Sequence, residues 1–207
     1  MTTSAPPQTS PYDGLVSRHL NRRISRPIAG LLAHTPVTPN QVTVFSLGIA
    51  VASLVAFAMG NPIAGGLLAQ AGSIVDGVDG DLARRVDRGT SFGSFFDAVV
   101  DRYSDSLVLL GLTIWAASNA ETMLPWVAGF AALAGSFAVT YTRARVDESR
   151  RTMFDNGITS LASRDVRLLL IMVGAVAGYG VETLVTLAAL TNAVVLLRIA
   201  SVRQALQ

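Results

Sequence analysis

An all-α integral membrane bundle is the fold this sequence predicts, with six transmembrane helices behind an N-terminal amphipathic surface helix, and three observations predict it. Hydrophobic residues make up 51% of the 207-residue chain and charged ones only 14%, a balance too apolar for an ordinary soluble domain. Several apolar stretches approach the ~20 residues needed to cross a bilayer core, and Val42 to Met59 holds no charged side chain. The arginines gather at the termini and at alternate connections, as expected of the cytoplasmic side of a membrane protein.

Residues 1–12 are polar and rich in Pro, Ser and Thr, which predicts a disordered tail with no assigned function. Over residues 13–34, Leu15, Leu20, Ile24, Ile28, Leu31 and Leu32 recur at helical spacing, while Arg18, Arg22, Arg23 and Arg26 take other positions. This pattern predicts an amphipathic helix lying at the membrane surface, kinked at Pro27; a helix packed on protein is the competing reading. Residues 35–207 form one membrane domain, with spans expected at about 41–59, 63–80, 93–117, 124–143, 165–181 and 183–201. The connections Gly60-Asn61-Pro62, Ser118 to Met123 and Gly178 to Glu182 lack basic residues. The positive-inside rule therefore puts both termini and the arginine-bearing loops in the cytoplasm of a multi-pass cell-membrane protein. Gly174-x-x-x-Gly178 suggests a close helix contact.

The first strongly apolar run follows an arginine-rich segment and is too long for the h-region of a signal peptide, although Ala56-Phe57-Ala58 matches a cleavage site superficially. There is no cysteine, so disulfides and thiolate metal sites are excluded. All 16 basic residues are Arg, a side chain whose planar fork suits phosphate. No nucleic-acid partner is expected.

The chemistry is concentrated in Ile74-Val-Asp-Gly-Val-Asp-Gly-Asp-Leu-Ala-Arg-Arg and Gly93-Ser-Phe-Phe-Asp-Ala-Val-Val-Asp101. Asp76 and Asp79 are three apart and Asp97 and Asp101 four apart, so each pair shares one face of its helix. Four carboxylates converging near a membrane are very unfavourable without cations, and hard oxygen ligands select Mg²⁺, Mn²⁺ or Ca²⁺. A buried ionic network with Arg84, Arg85, Arg88 and Arg102 is the competing explanation, but two helical carboxylate pairs exceed what packing needs. An EF-hand is excluded because Val78 and Gly80 fall at ligand positions. Gly77 and Gly80 cost helix stability; their expected use is to let a bulky ligand approach the backbone. His19 and His34 lie outside the spans and are expected at the surface.

This stretch resembles the signature of the CDP-alcohol phosphotransferases, D-x-x-D-G-x-x-A-R, eight residues, then G-x-x-x-D-x-x-x-D, which Asp76, Asp79, Gly80, Ala83, Arg84, Gly93, Asp97 and Asp101 match at every fixed position. Pro39-Asn40-Gln41-Val42-Thr43 is similar to the family's entry to its first span. The resemblance implies six spans, a surface N-terminal helix and a homodimer. It implies that Asp76, Asp79 and Asp97 hold a pair of metal ions, Mg²⁺ or alternatively Mn²⁺, and that Asp101 is both a ligand of the second ion and the general base. Gly80, Arg84, Thr90 and the turn Pro39, Asn40, Gln41 and Val42 are implied to contact the CDP-alcohol donor.

A second cluster follows the fourth span: Arg143, then Arg164, then Arg198 in an otherwise apolar run. An ionisable residue placed as Arg198 is needs an anionic partner or a wet cavity, and because family members that use inositol phosphate as acceptor carry basic residues at corresponding places, the resemblance implies that the trio binds a phosphorylated acceptor. Arg145, Arg150 and Arg151 are expected to be cytoplasmic anchors. Within the family, Asp13-Gly-Leu-Val-Ser-Arg-His-Leu-Asn-Arg, Ser73-Ile-Val-Asp-Gly-Val-Asp-Gly and Asp101-Arg-Tyr-Ser-Asp105 look most like enzymes that join CDP-inositol to inositol phosphate, making di-myo-inositol phosphate phosphate. Such enzymes are often fused to a cytidylyltransferase domain, for which this chain has no room. The alternative is a CDP-diacylglycerol-dependent phosphatidyltransferase of phospholipid biosynthesis. An ion or proton transporter accounts for acidic residues within spans but not for Gly80, Ala83, Arg84 and Gly93 at fixed offsets.

Overall fold

The computed structural model describes residues 21–86, 89–146 and 161–205, and these are helical throughout their regular elements: α1 Arg22–Leu32, α2 Pro39–Ala58, α3 Pro62–Arg85, α4 Ser91–Ser118, α5 Leu124–Arg145, α6 Arg164–Val176 and α7 Gly180–Ala205. The tail at 1–12 and the first part of the expected amphipathic helix lie outside the described residues, as do His19, Arg88, Arg150 and Arg151.

Local sequence explains where the helices begin. Thr38 caps α2 in a reciprocal box with Gln41: its hydroxyl accepts from the Gln41 amide, and the Gln41 side chain accepts from the Thr38 amide at 2.9 Å. Asn61 caps α3 and Thr90 caps α4 through side-chain oxygens. Pro39, Pro62 and Pro125 sit in first turns, where no intrahelical amide is lost. Gly60 and Gly178 supply the left-handed backbone, at φ 79° and 82°, that turns the chain between α2 and α3 and between α6 and α7.

One apolar core runs through the bundle, built from Phe57, Ala69, Leu109, Leu112, Ala132, Ile171, Leu184 and Leu187. Small residues bring helices together: a Cβ on Gly66 would meet Met172 backbone at 3.1 Å, and one on Gly111 would meet Leu54 Cα at 2.8 Å. Gly174 closes on Thr183 of α7, whereas Gly178 meets nothing and serves the turn. The expected Gly-x-x-x-Gly contact is thus made by its first glycine alone.

The outer surface is apolar. Phe45, Val127, Phe130 and Leu196 are each more than 60% exposed, the kind of apolar surface that a membrane or a protein partner covers. Pro39–Ala58, Leu124–Arg145 and Gly180–Gln204 are long and apolar enough to cross a bilayer. Helix α6 has 13 residues, about 20 Å, shorter than the expected span at 165–181, because it ends at Val176 and the chain turns at the left-handed Gly178; its start, at Arg164, lies among the carboxylates of α3 and α4.

Helix α1 differs from its expected interfacial setting on one face. Arg22, foreseen among solvated arginines, is buried against α3: it donates to Gly77 O at 3.1 Å and pairs with Asp81 at 2.7 Å. Ser25 donates to the same Asp81 at 2.9 Å, and Asn21 bridges Ser73 and Gln70. Gly77 therefore admits α1, with Ser25 Oγ 3.5 Å from where a Cβ would stand, rather than a bulky ligand. Ile24, Ile28 and Leu31 remain exposed on the other side.

Candidate functional site

The start of α2, the end of α3, and the starts of α4 and α6 bring the signature residues together. Oxygens of Asp76, Asp97 and Asp101 lie within 4.8 Å of one another. Asp76 comes from α3 and the other two, one turn apart, from α4, so the shared helix face inferred from spacing becomes a three-carboxylate centre. Asp79, buried beside Asp97, is turned by Thr43 of α2, whose hydroxyl donates to its Oδ2 at 2.5 Å.

Asp76 Oδ1 and Asp97 Oδ1 are buried with no hydrogen-bond partner among the described residues. An unpaired buried carboxylate oxygen is costly, and several such oxygens from different helices converging on one point are the donor set of a hard divalent cation. The residues present therefore fit a metal.

Arg164 reaches into this centre. Its Nη1 lies 2.6 Å from Asp76 Oδ2 and 3.1 Å from Asp101 Oδ1, and its Nε donates to Asp105 Oδ1 at 2.9 Å. The second Asp105 oxygen accepts from Arg167 at 2.6 Å, and Arg167 also donates to the Ala162 carbonyl at 2.7 Å. Arg102 touches the outer oxygen of Asp101 at 3.4 Å. The ionic network expected as the competing explanation is thus partly present with other partners: Arg84 pairs with Asp81 at 2.8 Å, not with the signature aspartates.

The residues expected at the donor lie at the start of α2, at the end of α3 and at the cap of α4. Asn40 and Thr90 meet at Gly93, where a Cβ would stand 3.3 Å from Asn40 Oδ1 and 3.0 Å from Thr90 Oγ1. Gly80 lies under the guanidinium of Arg84, 3.5 Å from its Cβ position. Pro39 opens α2 and Gln41 spends its side chain on the cap. Val42 packs into a small core with Ala29, Val78 and Leu82, which leaves only its backbone for a ligand.

Of the three arginines expected at the acceptor, Arg164 contacts the carboxylates. Arg198 is buried and donates to the Val139 carbonyl at 2.5 Å and to Thr142 Oγ1 at 3.2 Å, on the last turns of α5. Arg143 is half-buried beside that contact. Val139 and Val194 pack with Ala162, just before Arg164, so the ends of α5 and α7 and the start of α6 converge.

Sequence reasoning missed Asp105, Arg167, Asp81, Arg22 and the role of Thr43. Asp105 carried a signal: it stands four residues after Asp101 and continues the face of Asp97 and Asp101. Arg167 stands three residues after Arg164 in the second cluster, whereas Arg22 looks like any other arginine beside a span.

The model of the CDP-alcohol phosphatidyltransferase family matches residues 36–201. The chain is 41% identical, over 93% of its length, to a bifunctional IPC transferase and DIPP synthase from Rubrobacter xylanophilus, of which it spans 43%. It therefore spans less than half of that relative. It is 34% identical over 82% of its length to a phosphatidylinositol phosphate synthase from Mycobacteroides abscessus, covering 76% of that protein. Among solved structures it is similar to phosphatidylinositol phosphate synthase from Mycobacterium tuberculosis with CDP-DAG bound, with a TM-score of 0.72, 29% identity, and 86% of this chain and 92% of that one covered. The same enzyme in complex with manganese and citrate superposes with a TM-score of 0.63 at 27% identity, over 86% of this chain and 88% of that one.

Proposed function

The chain belongs to the CDP-alcohol phosphatidyltransferase family, and from that premise we propose that it transfers a phospho-alcohol group from a CDP-alcohol to a hydroxyl acceptor and releases CMP. The observation that carries this reading is the centre of Asp76, Asp97 and Asp101, with two buried oxygens lacking a partner, at the core of the matched signature.

Asp76, Asp79, Asp97 and Asp101 would hold the divalent metal, a pair of Mg²⁺ ions with Mn²⁺ as a substitute. When bound, the metal supplies polarisation of the diphosphate and offsets charge on the departing CMP. Asp101 takes the proton from the acceptor hydroxyl. The hydroxyl oxygen forms a bond to the phosphorus nearer the donor alcohol, and the bond from that phosphorus to the CMP oxygen breaks, with no covalent enzyme intermediate. Arg84 meets the diphosphate with its fork, and Gly80, Thr90 and Pro39 to Val42 shape the donor mouth. Arg143, Arg164 and Arg198 receive a phosphate on the acceptor.

In this reading α2 to α7 are the six spans of a homodimeric membrane domain at 35–207, α6 being a short one of 13 residues, with α1 on its cytoplasmic surface and the site facing the cytoplasm. Helices α3 and α4, of 24 and 28 residues, are about 36 and 42 Å long, enough to cross although their carboxylates lower their apolar character. The substrates we propose are CDP-inositol and inositol phosphate, supported by the similarity to the bifunctional IPC transferase and DIPP synthase. CDP-diacylglycerol as donor, giving a phospholipid, is the second reading, favoured by the similarity to the structure with CDP-DAG bound.

The test is CMP release by the purified protein with Mg²⁺, pairing CDP-inositol or CDP-diacylglycerol with inositol phosphate or free inositol. Release only with CDP-inositol supports a soluble product. Release only with CDP-diacylglycerol makes the protein a phospholipid synthase, and release with neither overturns both assignments.

A further inference from the structure

The guanidinium of Arg164 stands where the charge of the carboxylate centre is most in need of a cation. Its Nη1 touches Asp76 and Asp101, two members of the three-carboxylate group. It is also braced from behind: its Nε is held by Asp105, which is 4% exposed, and Asp105 is pinned in turn by Arg167. Arg167 is itself tied to the Ala162 carbonyl, at the entry to the helix that carries Arg164. A long side chain normally loses freedom when it is held in one pose; here a buried carboxylate and a second arginine fix the pose.

We propose that Arg164 is the resident counter-cation of the carboxylate centre, held by Asp105 and Arg167 as positioning residues, so that a divalent metal and the Arg164 guanidinium compete for Asp76 and Asp101. The inference rests on the metal reading above. With a metal bound, Asp76 and Asp101 would serve as its ligands and Nη1 would leave them, while Nε stays on Asp105. The freed edge of the fork then faces the centre as an anion-binding group, so metal loading and binding of a phosphorylated acceptor favour each other. By linkage the coupling holds in both directions.

The experiment is Mn²⁺ binding to the detergent-purified full chain without substrates, followed by loss of the free-ion electron paramagnetic resonance signal. Arg164→Gln is expected to tighten Mn²⁺ binding by at least about tenfold, given a unit charge removed from direct contact with the ligands. Arg102→Gln, which removes equal charge from the outer side of Asp101, is expected to change it by no more than about threefold. Arg164→Lys, which keeps the charge but has no Nε for Asp105, is expected to fall between wild type and Arg164→Gln, and it serves if the glutamine variant does not fold. Unchanged or weaker Mn²⁺ binding in the Arg164 variants, or an equal gain from Arg102→Gln, overturns the competition. Failure of the wild type to bind Mn²⁺, or binding indifferent to Asp97→Asn, overturns the metal reading as well. Binding that Asp97→Asn abolishes and Arg164→Gln leaves unchanged overturns this inference alone.

Discussion

Two clusters of buried acid lie along α3, and they are built on opposite principles. At the α1–α3 seam, Asp81 gives one oxygen to Arg22 and Ser25 and the other to Arg84, so one carboxylate is met by two cations and a hydroxyl. In the centre beside it, Asp76 and Asp101 share Arg164, and Asp76 and Asp97 keep buried oxygens without partners among the described residues. The first arrangement spends its polar groups on joining two helices. The second holds acid in surplus over base at a fixed point, which packing alone does not require and cation binding does.

The contrast can be broken by substitution. The largest effect is expected from Asp101→Asn, which should lower CMP release by about 10²- to 10⁴-fold, the usual contribution of a positioned base; activity near wild type would remove Asp101 from that role. Next is Asp81→Ala, which removes the carboxylate that Arg22, Ser25 and Arg84 share and should destabilise the protein by about 3 kcal/mol, read as a lower unfolding midpoint in detergent. An unchanged midpoint would show that the seam contributes little. Opposite in sign is Asp97→Asn: without metal, removing one of several facing carboxylates should raise stability by about 1 kcal/mol, while activity is lost. If both Asp81 and Asp97 variants lower the midpoint of the metal-free protein, the distinction between seam and centre fails. A comparably small change, about 1 kcal/mol of destabilisation, is expected for Thr38→Ala, which removes the cap of α2. The same thermal midpoint checks it.

The two clusters also differ in how far they could be read in advance. The centre announced itself because its carboxylates repeat at three and four residues within single helices, and that spacing alone fixes a common face. The seam did not, because Asp81 and Arg22 are 59 residues apart in number and each looks like an ordinary charge near a membrane surface. Arg22 falls off the apolar spacing of the amphipathic helix, as Arg18, Arg23 and Arg26 do; its partner exists only once α1 lies across Gly77. Arg164 was expected at a phosphate, and its place among Asp76, Asp101 and Asp105 depends on α6 starting at the depth of that centre.

The amino-acid sequence by itself determined the helical bundle, its apolar outer surface, the capped helix starts and the carboxylate pairs. Each of these depends on residues within a few turns of one another, where backbone geometry sets the distances. Only the tertiary structure decided which of 16 arginines meets which acid, and that a 13-residue α6 stands where a longer span was expected. Such pairings are made across helices, and their distances follow from how the bundle packs rather than from spacing along any one helix.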